Sequence, residues 1–254
     1  RGYDVMTYDL AFSIDPAVRF VEGRAAVRIA SLRAGLDEVT LDLDDSMSVR
    51  SVERDGAALP SFTAANRLLS IPLDPPLGAE ERTTLVVRWA GAPRSGGALT
   101  FWNAPSSGPA VSSLAEPFDA PTFWPCVDDP ADKAVTTVSV TVPPGYVAVS
   151  AGLGSSAATG DGRVTFTWRL PQPIPSYLVS VAVARYATIA AEYRSLDGSR
   201  SMPVVGYVVP EHADQGRHRV VLVERERVEA PIGSTDVRVA YFPEPRVRLD
   251  VDPS

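Results

Sequence analysis

Glu116-Pro-Phe-Asp-Ala-Pro-Thr-Phe-Trp124-Pro-Cys126-Val-Asp128-Asp-Pro130-Ala-Asp-Lys133 is the stretch on which the reading of this 254-residue chain turns. Its recurrent prolines and lack of any apolar period rule out a core strand or helix. It is also too rich in special residues to be filler. Phe123 and Trp124 offer apolar anchors, Cys126 is the only thiol, carboxylates cluster after it, and Lys133 is the only lysine of the chain. Ordered irregular connections of this kind, held by a rigid scaffold, are where function concentrates.

On both sides of this connection the sequence alternates with period two, the pattern of strands that bury one face. Leu10, Phe12 and Ile14 alternate with smaller or polar residues, as do Val39, Leu41 and Leu43, then Leu69, Ile71 and Leu73, then Leu85, Val87 and Trp89. Val138, Val140 and Val142, followed by Val164, Phe166 and Trp168, repeat it in the second half. Turn signals fall at Glu22-Gly23, Asp55-Gly56, Asp161-Gly162 and Asp197-Gly198, and Asp-Gly suits tight hairpins because it accepts positive φ. Tyr177 to Ala184, apolar or small on both faces, predicts a central strand covered on both sides. The stretches 91–109 and 152–162, rich in Gly, Ser and Pro, predict loops.

About a dozen short strands with hairpin-length connections predict an all-β fold, an antiparallel β-sandwich of packed sheets followed by a short non-β tail. The change in character near Glu211 sets the expected boundary: a β domain over residues 1–210, and over 211–254 a connection that could also open a truncated catalytic domain, where Val220 to Glu229 reads as an amphipathic helix, with a strand carrying a charged end as the alternative.

Composition narrows the function. With 45% hydrophobic residues the chain can bury a sizeable core. A formal net charge of −7 argues against nucleic acid, which is bound through clustered Lys and Arg. Arg185 interrupts the longest apolar run, so no membrane span is expected, and the chain reads as soluble, with cytoplasm and the secreted space equally open. The start at Arg1 reads as a processed or trimmed end. One cysteine cannot close an intrachain disulfide. His212 and His218, six apart in a polar run, fall short of a zinc ligand set, so no metal is expected here.

The opening stretch resembles the signature that precedes the catalytic domain in the zinc aminopeptidase family, the aminopeptidase N and leukotriene hydrolase type. There a Gln or Glu lies ten residues before a Pro-Cys-x-Asp-x-Pro-x-x-Lys run. Glu116 lies ten before Cys126, and Pro125, Cys126, Asp128, Pro130 and Lys133 match the run. Pro143 to Ser150 resembles the family's Pro-x-Gly segment, and Pro173 to Ala184, with Tyr177 at its Ser-Tyr-Leu, resembles the strand that follows. The resemblance, extended over about residues 4 to 210, implies a saddle-like amino-terminal domain. It implies that Glu116 binds the free α-ammonium of a peptide substrate, that the domain's partner is the catalytic domain of the same protein, and that zinc belongs to that missing half. Pro121 stands where the family often carries arginine, which removes a charge-pairing option beside Glu116.

The zinc-binding H-E-x-x-H and the Gly-x-Met-Glu-Asn strand of such enzymes are absent from this sequence, which stops before any zinc ligand, so the chain alone is expected to be inactive. Asp128, Asp129, Asp132 and Lys133 read as turn and capping residues, and Cys126 as a small packed hydrophobe with no histidine beside it in sequence to activate it. Two rival readings stand beside the first. One is a stand-alone β module that binds protein without peptidase activity. The other is an independent hydrolase built on Cys126 or the aspartates.

Overall fold

The alternating apolar residues become strands that bury one face. Leu10, Ile14, Val39, Leu41, Leu69, Ile71, Leu85, Val87 and Val140 are all sealed from solvent. The computed structural model describes residues 1–195 and 199–214. The chain divides into two compact units, Arg1–Arg185 and Tyr186–Ser254.

The first unit is a sandwich of packed sheets. Its largest sheet has eight strands in the order β13 (Leu153–Ala158), β14 (Val164–Ile174), β11 (Ala134–Val142), β1 (Tyr3–Asp15), β2 (Phe20–Ser31), β8 (Arg82–Gly91), β4 (Met47–Arg54) and β5 (Ala57–Ala58). A three-stranded sheet joins β3 (Leu36–Asp42), β7 (Leu68–Leu77) and β6 (Thr63–Ala65). A four-stranded sheet runs β12 (Val147–Val149), β15 (Ala182–Ala184), β10 (Gly108–Ser113) and β9 (Leu99–Ala104). Inward residues of all three sheets form one hydrophobic cluster, from Leu10 and Phe12 through Leu41 and Leu69 to Val111 and Val183. In the second unit β16 (Ala187–Arg194) pairs antiparallel with β17 (Ser201–Val208), and Pro210–His212 forms a 3-10 turn.

Several sequence expectations need correction. β1 and β11 pair in parallel, Thr7 opposite Val135, within an otherwise antiparallel set, because everything between them serves as the crossover. Glu22-Gly23 is no turn. It lies inside β2, where the missing Cβ makes room for the Trp89 ring, whose Cζ2 would sit 2.2 Å from a Cβ at Gly23. The stretch 91–109 contains β9 and half of the β9–β10 hairpin, and 152–162 contains β13, an edge strand exposed along its whole length. With neither face buried, β13 has no reason to alternate. Tyr177 to Ala184 is not one strand: a 3-10 turn at Ser176–Leu178 comes first, and only Ala182–Ala184 pairs, although it does lie between β12 and β10.

Asp55-Gly56 does turn β4 into β5 with φ of 49° and 86°, and Gly162 turns at 83°. Asp197-Gly198, His218 and the expected helix near Val220 lie outside the described residues.

Candidate functional site

The signature stretch connects β10 to β11, and its backbone is fastened to each of the three sheets. At its start, the Ser113 amide donates to the Val181 carbonyl at 2.8 Å and the Leu114 amide to the Ala98 carbonyl at 2.8 Å. The Ala98 amide in turn donates to Thr122 Oγ1 at 2.8 Å, and that hydroxyl donates to the Asp119 carbonyl at 2.6 Å. In its middle, the Trp89 indole of the large sheet donates to the Phe123 carbonyl at 3.0 Å. Further on, Asp42 at the end of β3 and Cys126 exchange amide-to-carbonyl bonds of 2.7 and 3.1 Å. The next amide, Val127, donates to the buried Tyr8 hydroxyl at 2.9 Å.

Aromatic packing fixes the same segment from below. Trp124 meets Tyr8 edge on at a centroid distance of 4.9 Å, and Phe123 stacks on Phe12 at 5.8 Å. Phe123 and Trp124 are fully buried, as are Thr122 and Cys126, and Pro121 and Pro125 are buried with them. The Trp124 Nε1 is buried without an acceptor among the described residues, a cost on the order of 1–3 kcal/mol set against the packing of its ring.

Against this buried base, Glu116 is exposed. It follows buried Ala115, whose carbonyl accepts from the Asp119 amide at 2.9 Å, so that residues 115–119 close a turn with Glu116 and the exposed Phe118 on its outside. The Glu116–Pro117 peptide is cis. Among the described residues nothing bonds to the Glu116 carboxylate. Beside the turn, Arg94 supplies a cation: its Nε donates to Asp44 Oδ2 at 3.0 Å and its Nη2 to Asp119 Oδ1 at 3.0 Å.

The remaining residues expected from the motif divide into two groups. Asp128 takes the Ser176 hydroxyl at 3.1 Å, joining it to the turn that carries the half-buried Tyr177, and its amide donates to Asp42 Oδ2 at 2.9 Å. Burial raises the Asp128 pKa, opposed by the Ser176 hydroxyl and aided by the Asp42 carboxylate. Cys126 is completely enclosed, and burial, then the Asp128 and Asp42 charges, push its thiol well up. Pro130 and Lys133 are exposed, and among the described residues Lys133 makes no ion pair. Asp132 accepts the Val5 amide at 3.4 Å, and burial with the neighbouring Asp4 and Asp129 raises it to about 6.

A shallow cleft of about 370 Å3 lies beside the signature among Arg1, Asp42, Arg67, Pro121 and Asp128, and Glu116 is not in its lining. Sequence reasoning overlooked Asp42, Asp44 and Arg94. Asp44 carried one usable signal, the Asp-x-Ser turn in which its Oδ1 takes the Ser46 amide at 3.1 Å and hydroxyl at 2.8 Å. Nothing local marks Arg94.

A zinc ion does not fit the donor set of this chain as described. Among the described residues no three His, Cys, Asp or Glu side chains gather into a metal site, and no helix is long and apolar enough to cross a membrane.

Known proteins share the fold and part of the sequence. A family model for the peptidase M1 N-terminal domain matches residues 5–178. Aminopeptidase N of Haemonchus contortus is 34% identical over 103 residues, 38% of this chain and 10% of that protein. Aminopeptidase B of Mus musculus is 26% identical over 202 residues, 71% of this chain and 30% of that protein. The crystal structure of the M1 zinc metallopeptidase from Deinococcus radiodurans superposes with a TM-score of 0.71 at 26% identity, over 83% of this chain and 48% of that one. A mutant of that enzyme bound to a Tyr-Ser-Ala substrate gives 0.68 at 26% identity, over 85% and 52%. The chain thus spans about half the length of these solved structures and less than a third of these curated relatives. With two thirds of its residues under that family model and its sandwich shared with these metallopeptidases, the chain belongs to the peptidase M1 N-terminal domain family, the amino-terminal domain of the zinc aminopeptidases.

Proposed function

We propose that this domain walls one side of a peptidase cleft and that the Glu116 carboxylate receives the free α-ammonium group of the peptide substrate. Residues 1–210 serve as that domain and 211–254 as the passage to a catalytic half, which supplies zinc, the scissile-bond chemistry and the opposite wall. The observation that carries this reading is the contrast at Glu116: an exposed carboxylate with no partner among the described residues, on a turn tied at both ends to buried backbone. A carboxylate kept free yet held in place suits a ligand more than a fold.

Enclosure decides how much such a carboxylate contributes. In open solvent an ion pair is worth about 0.2–1 kcal/mol. Covered by a second domain, at about 4 Å and an effective dielectric near 20, the gross attraction reaches roughly 4 kcal/mol before desolvation. Amine capture of this kind would also set register, fixing how far the scissile bond lies from the chain end.

The test is Glu116→Ala in the full-length protein, assayed on a free peptide and on its amino-acetylated form. Loss of the amine site should raise KM and lower kcat together for the free peptide, on the order of a hundredfold in kcat/KM. The acetylated peptide should be unaffected, and the melting temperature unchanged. A variant that keeps the wild-type preference for the free amine would remove Glu116 from the site.

A further inference from the structure

We propose that Arg94 is a positioning residue for the amine site, acting as a two-point clamp that fixes the Glu116 turn through Asp119. The proposal rests on the reading of Glu116 given above. Arg94 lies in the connection between β8 and β9 and does not touch Glu116. Its Nε and Nη2 lie on one edge of the guanidinium, and each takes a different carboxylate: Asp44 Oδ2 at 3.0 Å and Asp119 Oδ1 at 3.0 Å. A planar fork with donors at fixed separation can hold two acceptors in a set relation, which a point charge cannot do.

Both ends of the clamp are anchored. Asp44 is nearly buried at its side chain, binds Ser46 through Oδ1, and its own amide donates to the Pro121 carbonyl at 2.9 Å, within the signature stretch. Asp119 closes the turn that carries Glu116, donating its amide to the Ala115 carbonyl at 2.9 Å while its carbonyl accepts from Thr122. Rotation of Asp119 away from Arg94 would therefore swing the turn on which Glu116 sits. Arg67 also lies near Asp44, but at 3.7 Å and without a bond to the turn.

Global stability is a poor explanation for this arrangement. Arg94 and Asp119 are each more than a third exposed at the side chain, and ion pairs so open contribute little to folding. What they do set is direction, and a displacement of the order of 1 Å in a positioned group can cost as much as a hundredfold in rate.

The experiment uses Arg94→Met and Arg94→Lys in two settings. In this chain, amide hydrogen exchange is followed at Asp119 and Thr122 together with the melting temperature. In the full-length protein, kcat and KM are measured for free and acetylated peptide. Arg94→Met should speed exchange of the Asp119 amide about tenfold at unchanged melting temperature, and lower the preference for the free amine about tenfold, mainly in KM. Arg94→Lys, which keeps the charge but reaches one carboxylate, should change in the same direction. Wild-type exchange in Arg94→Met, or full recovery with lysine, would overturn the clamp. Faster exchange in a protein whose amine preference ignores Glu116→Ala would instead leave the clamp standing and overturn the role of Glu116.

Discussion

Asp42 and Cys126 exchange backbone hydrogen bonds across 84 residues of sequence, and through this one bridge the three-stranded sheet grips the signature connection. The Asp42 side chain reinforces it, accepting the Asp128 amide and pairing with Arg1. The thiol between them has no solvent path: Cys126 is fully enclosed among Tyr8, Asp42 and Asp128. Its position in the motif is thus explained by packing and by the backbone bridge, with no chemistry required of its sulfur.

The thiol should accordingly resist alkylation. Burial first, then the Asp128 and Asp42 carboxylates, disfavour the thiolate that reacts. Iodoacetamide at mildly alkaline pH should leave the folded protein unmodified by mass spectrometry and label it completely in guanidinium. Rapid labelling of the folded chain would mean that the bridge opens readily, and would return Cys126 to consideration as a nucleophile.

Gly23→Ala should destabilise the domain by about 1–3 kcal/mol, the usual range for overpacking a filled core. The added Cβ would stand 2.2 Å from Trp89 Cζ2, and Trp89 cannot swing away without giving up its bond to the Phe123 carbonyl. Urea unfolding measures the loss. A double variant with Trp89→Phe should recover part of it, so a purely additive double variant would show that the clash is not the cause.

Asp132 should make the protein less stable as pH rises. Its folded-state pKa is raised from 3.8 to about 6 by burial and by Asp4 and Asp129, so its favourable contribution is complete below 3.8 and is lost as pH climbs through about 6. Asp132→Asn keeps an acceptor for the Val5 amide and removes the titration. Discounted for the solvent on its open side, the gain at neutral pH should be about 1 kcal/mol. Stability profiles of the two proteins should run together below 3.8, part as pH climbs from 3.8 to about 6 and keep a constant separation above it; profiles offset by the same amount at every pH would assign the titration elsewhere.

What could be read in advance was whatever repeats. Leu10, Leu41, Ile71 and Val140 declare themselves by alternation, and Asp55-Gly56 by its turn chemistry, because burial and positive φ each select residue types locally. The edge strand Leu153–Ala158 gave no such sign, being exposed on both faces. Gly23 misled because a glycine that admits a neighbour's ring has the same spelling as one that turns the chain. The motif singled out Glu116 but carried no sign of the contacts around its turn. Arg94, Asp44 and Asp119 come from three separate connections, 50 and 25 residues apart, and only the tertiary fold brings them together.

The parallel pairing of β1 with β11 bears on how the chain is made. Synthesis delivers residues 3–15 early, and β2 can pair with one edge of that strand almost at once. Its other edge must wait for residues 134–142, the last of which follow the whole signature connection out of the ribosome. Until then a long strand rich in apolar residues stands with its amides and carbonyls unpaired, the state most open to wrong association. Final closure of the large sheet is therefore postponed until the Glu116 turn has been synthesised, which makes assembly of this sheet a late event, slow by topology.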